Sequence, residues 1–233
     1  CTRKMKNYPR IYSLSTLGLI HHYENDYLFH NMRTDFVGDS GSGKSIIADL
    51  LQLIFVGSEM FESATRTMDE KRELDGLVLR TPHKGIDIGY AFLNIEIQSR
   101  HYIVIGCYLE SNSKRTKPFI IQGSSDPKAN LLPIGQPLQT KDFKREGNIC
   151  PLDDLLSQME EKGLFLSYWE TVKPYHRILY IHDILPLDLA SNEKTLKDYA
   201  SVIRSFSRGK TIDTSNSNNL KQFIFGTEKI KEN

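Results

Sequence analysis

"DFVGDSGSGKSIIADLLQLIFVG", residues 35–57, decides how the rest of this chain is read. Gly38 is followed by four residues and then by Gly43, Lys44 and Ser45, which satisfies the phosphate-loop pattern G-x-x-x-x-G-K-[ST]. Glycines at 38, 41 and 43 let backbone N–H groups approach phosphate oxygens with no Cβ in the way, at the positive end of the helix that follows. In this pattern the Lys44 ammonium reaches the β- and γ-phosphates and the Ser45 hydroxyl ligates Mg²⁺. The candidate nucleotide-binding set is therefore Gly38, Asp39, Ser40, Gly41, Ser42, Gly43, Lys44, Ser45 and Ile46, with Lys44 as the catalytic charge. Asp39 and Ser40 are not diagnostic by themselves. Four fixed positions match by chance in roughly one sequence of this length in a hundred.

Working outward, the flanks carry the context that such a loop needs. "RTDFVG", residues 33–38, reads as a strand running straight into the loop. Residues 44–56 read as a helix with Ile46, Ile47, Leu50, Leu51, Leu53, Ile54, Phe55 and Val56 apolar. A helix apolar on so many sides is a buried one, and Gly57 is placed to end it. Gln52 is predicted to face out of this helix. It reads either as a catalytic amide or as an ordinary helix residue near a surface or interface.

Composition sets the bounds. At 233 residues the chain is long enough to bury a full core, and 39% hydrophobic with 25% charged residues describes an ordinary globular protein. A net charge of +1 supplies no global field toward nucleic acid or membrane, so any such binding rests on local patches. Cys1, Cys107 and Cys150 lie far apart with no C-x-x-C pair, which fits neither a disulfide framework nor a zinc site and points to a reducing cytoplasm. The longest apolar runs are too short to span a bilayer, and no membrane partner is expected.

Beyond the loop, "RIYSLSTLGLI" (10–20) and "DYLFH" (26–30) read as strands. Residues 58–89 are polar and charged, an exposed excursion. "YAFLNIEIQ" (90–98) and "HYIVIGCYLES" (101–111), two residues apart, resemble an antiparallel hairpin, and "KPFIIQG" (117–123) a third strand. A Pro/Gly/Ser-rich stretch then leads to about residue 150. "PLDDLLSQMEEKG" reads as a helix with Pro151 in its first turn and Gly163 past its end. A further helix, "SNEKTLKDYASVIRSFSRG", is opened by Ser191 or Asn192 and closed by Gly209.

A P-loop ATPase also needs an acidic Mg²⁺ partner, usually an Asp ending an apolar strand. "RILYIHD" offers Asp183, which reads either as a metal ligand or as a loop or helix-capping carboxylate. The chain has no Ser-Gly-Gly signature at a helix start and no N-K-x-D base-recognition motif.

The stretch from "RIYSLSTLGLIHHYENDYLFH" through "RTDFVGDSGSGKSIIADLLQLIFVG" resembles the opening of an SMC-like ABC ATPase head, the broad group of SMC, MukB, RecF/RecN and related coiled-coil ATPases. In that group a β-lobe leads to G-x-N-G-S-G-K-S and an apolar helix; here Ser40 replaces the Asn, and Ala48-Asp49-Leu50-Leu51-Gln52-Leu53 follows. The group's metal-sensing Gln should fall near residue 182, where His182 and Asp183 stand, with Gln158 and Gln122 elsewhere.

The resemblance implies an α/β fold, a P-loop NTPase of ABC/SMC-head type with a mixed β-sheet and an antiparallel β-subdomain. The chain would be its N-terminal lobe: strands, loop and helix in 1–57, polar excursion and antiparallel strands in 58–150, and a helical part in 151–233 leading toward a coiled coil at "TEKIKEN".

It further implies Mg²⁺ and ATP as cofactors, and as partners the C-terminal half of its own head, a second head in a homodimer, accessory subunits and double-stranded DNA. The output would be chromosome organisation, DNA repair, or anti-plasmid and anti-phage defence. Two alternatives stay open: a self-contained P-loop NTPase using Asp183, and a nucleotide-gated scaffold with little hydrolysis.

Other clusters are weaker. His21 and His22, as strand neighbours, point to opposite faces and cannot easily share a metal. Basic groups at Arg3, Lys4 and Lys6, at Lys114, Arg115 and Lys117, at Lys141, Lys144 and Arg145, and at Arg204, Arg208 and Lys210 read as solvated loops or as contacts to DNA phosphates. Arg66, Arg72 and Arg80 are candidates for a nucleotide-phosphate contact.

Overall fold

The computed structural model describes residues 8–29, 42–61, 74–82, 85–123 and 131–205. Eight strands and four α-helices are described: β1 (Arg10–Leu19), β2 (His22–Leu28), α1 (Ser42–Phe55), β3 (Ile88–Gln98), β4 (His101–Glu110), β5 (Lys117–Gln122), β6 (Lys144–Arg145), β7 (Asn148–Ile149), α2 (Leu152–Glu161), β8 (Phe165–Tyr168), α3 (Val172–Ile181) and α4 (Glu193–Ser205). Six of the strands form one sheet in the order β2-β1-β3-β4-β5-β8, and β6 and β7 make a separate small hairpin.

Every described pairing is antiparallel. The mixed sheet expected from the sequence is therefore corrected for the described strands, and the segment 33–38 lies outside them. The β3–β4 hairpin forms where its pattern places it, with Ser99 and Arg100 at the turn. The second strand is longer and earlier than "DYLFH": it runs from His22 to Leu28 as the partner of β1.

The central strands are buried along almost their whole length, because both faces of the sheet are covered. One face carries α1, α3 and α4 over Leu14, Ala91, Leu93, Ile103, Ile105 and Ile120. Each covering helix has an apolar stripe at helical spacing; on α4 it is Leu196, Tyr199, Ala200 and Ile203. The other face carries α2 through Leu152, Leu155 and Met159, together with the segment around Ile134, Leu138 and Phe143. That segment belongs to the stretch the sequence reads as a connector. Phe143 stacks on Phe92 at a centroid distance of 4.2 Å and is fully buried.

The excursion 58–89 is also less exposed than its charge implies. Leu77 and Val78 are buried, the Ile20 N–H bonds the Leu77 carbonyl, and Val78 bridges Leu19. Pro151 stands just ahead of α2 rather than within it, and Gly163 past its end takes a φ of 74°. Asn192 opens α4, its Oδ1 accepting the Lys194 N–H at 2.7 Å. Gly209 lies outside the described residues. Among the described residues, no helix is long and apolar enough to cross a membrane.

Candidate nucleotide site and the helix that carries it

The phosphate-loop motif falls at the boundary of the described residues. Gly38, Asp39, Ser40 and Gly41 lie outside them, while Ser42, Gly43, Lys44 and Ser45 form the first turn of α1. The helix thus begins inside the motif. Its first turn holds no carboxylate, and the positive end of the helix dipole lies there.

From Ile46 to Val56 every residue of this segment is buried, as the apolar run requires. The sheet lies on one side and the α4 stripe on another. Gln52 is the exception to the sequence reading. It is expected to face out, yet it is fully buried, as is Asp49, in a helix packed against both the sheet and α4.

The far end of α1 is closed by side chains. A helix leaves its last carbonyls without intrahelical donors, and a buried end must find them elsewhere. The Gln52 carbonyl accepts both the Val56 N–H at 2.7 Å and the Gly57 N–H at 3.2 Å. The Tyr175 hydroxyl donates to the Ile54 carbonyl at 2.7 Å, and His176 Nε2 lies 2.8 Å from the Phe55 carbonyl. Since a carbonyl only accepts, His176 carries its proton on Nε2. Burial lowers the His176 pKa to about 4, against smaller opposing effects of the Phe55 bond and Asp188, so the imidazole is neutral at pH 7. Burial likewise pushes the Tyr175 hydroxyl well above its ordinary range, which keeps it a donor.

Asp183 is not at a strand end. "RILYIHD" is the last part of α3 and its C-terminal turn, and Asp183 is exposed there with a φ of 59°. The segment turns helical because Val172, Tyr175, His176 and Leu179 recur at helical spacing and bury together. The strand-end geometry that would recommend Asp183 as a metal ligand is therefore corrected.

Gln158 braces the second face instead of sensing a metal. Its Nε2 donates to the Asp142 and Lys144 carbonyls at 2.8 and 3.2 Å. Gln122 accepts the Leu132 N–H at 3.2 Å and shares a cleft of about 420 Å³ with His182 and Trp169.

Arg80 donates to the Ser111 carbonyl at 3.1 Å, at the end of β4, while Arg66 and Arg72 lie outside the described residues. His21 is exposed at the β1–β2 turn and His22 is buried 2.8 Å from the Tyr27 hydroxyl. No group of three or more His, Cys, Asp or Glu among the described residues is arranged to hold a metal ion.

Of the basic clusters, Lys117 pairs with Glu170 at 3.5 Å and Lys144 with Glu24 at 3.1 Å. Lys141, Arg145 and Arg115 are exposed. Arg3, Lys4, Lys6, Arg208 and Lys210 fall outside the described residues, as does the Arg204 side chain.

No curated protein matches the chain. The model of the MukB N-terminal family matches residues 10–229, which takes in the motif, the six-stranded sheet and all four helices. With a match over nearly its whole length, the chain belongs to the MukB N-terminal family, the N-terminal region of an SMC-like, chromosome-related ATPase head.

Proposed function

We propose that this chain binds Mg·ATP through residues 38–45 and forms the N-terminal lobe of a head that dimerises around the nucleotide to act on double-stranded DNA. The observation that carries this reading is the start of α1 inside the motif. Gly43, Lys44 and Ser45 occupy the first turn of a helix that is buried behind them, so its free N–H groups and dipole converge on one point. Membership of the MukB N-terminal family supports the same conclusion.

In this reading the loop amides and Lys44 hold the phosphates and the Ser45 hydroxyl ligates Mg²⁺, which when bound neutralises charge on the β- and γ-oxygens. The protein contributes positioning and charge stabilisation for phosphoryl transfer to water. This reading assigns Asp183, on an exposed turn beyond α3, no role in it. Lys44→Ala should abolish ATP binding while thermal unfolding stays that of the parent protein. ATP affinity unchanged in that variant, measured by titration, overturns the assignment.

A further inference from the structure

The sequence locates the nucleotide motif at one end of α1. At the other end, α1 is held by contacts from outside the helix. Three of them come from α3: the Tyr175 hydroxyl on the Ile54 carbonyl, the His176 imidazole on the Phe55 carbonyl, and Val172 packed against Gly57. Gly57 has a φ of 103°, and a Cβ there would overlap Val172 Cγ1, so the two segments approach as closely as a glycine permits. Tyr175 and His176 are adjacent in sequence and bond adjacent carbonyls. Such a pair resists both tilt and rotation of the helix about its axis, which one bond would not do.

We propose that Tyr175 and His176 are positioning residues for nucleotide binding, a two-bond latch that sets the axis of α1 and thereby where its first turn presents Gly43, Lys44 and Ser45. This rests on the nucleotide-binding reading given above. The lever argument is simple. A helix of 14 residues is about 21 Å long, so a tilt of roughly 3° at the latched end moves the opposite end by about 1 Å, enough to spoil the alignment of charged groups around a phosphate. The interior of α1 cannot absorb such a tilt locally, because it is buried along its length in a close-packed core.

A merely structural role makes a different prediction, and the fold contains a matched control. Tyr90 donates its hydroxyl to the Cys150 carbonyl at 2.6 Å, and like Tyr175 it is fully buried. Tyr90 packs in the cluster on the opposite face of the sheet from α1. Tyr90→Phe and Tyr175→Phe therefore remove the same chemical group from the same kind of partner.

The experiment compares these variants in the intact protein by ATP titration and thermal unfolding. Both should lose similar stability. Tyr175→Phe should weaken ATP binding by roughly tenfold, and Tyr90→Phe should leave it unchanged. His176→Gln, whose amide restores a donor toward Phe55, should keep more affinity than His176→Leu. Equal ATP affinity in Tyr175→Phe and Tyr90→Phe overturns the proposal.

A second readout needs no nucleotide. Amide hydrogen exchange over residues 46–50 should quicken in Tyr175→Phe and not in Tyr90→Phe. If the parent protein binds no ATP, the nucleotide reading falls, and this comparison still decides whether the latch holds the helix; equal exchange in the two variants rejects it.

Discussion

Asn94 and Leu138 bond each other twice: the Asn94 Nδ2 donates to the Leu138 carbonyl at 2.8 Å, and the Leu138 N–H donates to Asn94 Oδ1 at 2.9 Å. The remaining Nδ2 hydrogen goes to the Ser13 hydroxyl at 2.8 Å. A side-chain amide thus takes the place of a neighbouring strand and pegs the segment 131–143 onto the sheet. Asn94 is fully buried, so its removal leaves both Leu138 groups short of partners. Asn94→Ala should lose about 2–4 kcal/mol of stability, and Asn94→Asp should be no better, since it sets an acceptor against the Leu138 carbonyl. Denaturant unfolding measures both; a loss below about half a kcal/mol in Asn94→Ala would mean that the peg is dispensable.

Gly57 makes a second stability prediction. Its backbone lies at a φ of 103°, where side chains are strained whatever the space, and a Cβ would overlap Val172. Gly57→Ala should destabilise by about 2 kcal/mol or more. Val172→Ala in the same background should recover part of that, since it relieves the overlap and leaves the backbone strain. A double-mutant cycle separates the two effects, and strict additivity would remove Val172 from the explanation.

The parts of this fold that were legible in the sequence are those whose signal is local. The β3–β4 hairpin alternates apolar and β-branched residues across a two-residue turn, and α1 is a largely apolar helix from Ile46 on, closed by Gly57. What the sequence hid depends on contacts between distant segments. Gln52 reads as a polar residue facing out, and nothing near it in sequence announces its full burial in a helix that packs on both the sheet and the distant α4. "RILYIHD" has a β-like composition, yet its Leu179 buries with Val172, Tyr175 and His176, which precede the stretch, as one face of a helix. The latch was hidden for the same reason. Tyr175 and His176 matter through the carbonyls of residues 121 positions away, and a carbonyl carries no sequence signal.

DNA binding, if the head acts as proposed, should run through exposed cations. Lys144 is paired with Glu24 and Lys162 with Asp142, whereas Lys141 and Arg145 are exposed beside them. Charge reversal at Lys141 and Arg145 together should weaken binding to unrelated duplexes alike and lower the slope of log affinity against log salt by about 2. Fluorescence titrations at several salt concentrations test this. A strong preference for one duplex sequence that persists at high salt would speak for base readout and against phosphate contacts.

His176 gives the chain a pH dependence whose sign is fixed by its burial. Its pKa is lowered from 6.5 to about 4 in the folded protein, chiefly by desolvation. Between those values the unfolded chain binds the proton and the folded chain does not, so stability is complete above pH 6.5 and declines as pH falls toward 4. At pH 5 the loss attributable to this group should be about 2 kcal/mol relative to pH 7. Carboxylates titrate in the same region, so the informative quantity is the difference between the parent protein and His176→Gln, which cannot take up the proton. The two should differ most in stability at pH 7 and converge as pH falls to 5. A constant difference across that range would show that the folded and unfolded chains take up this proton alike, so that burial does not lower the His176 pKa.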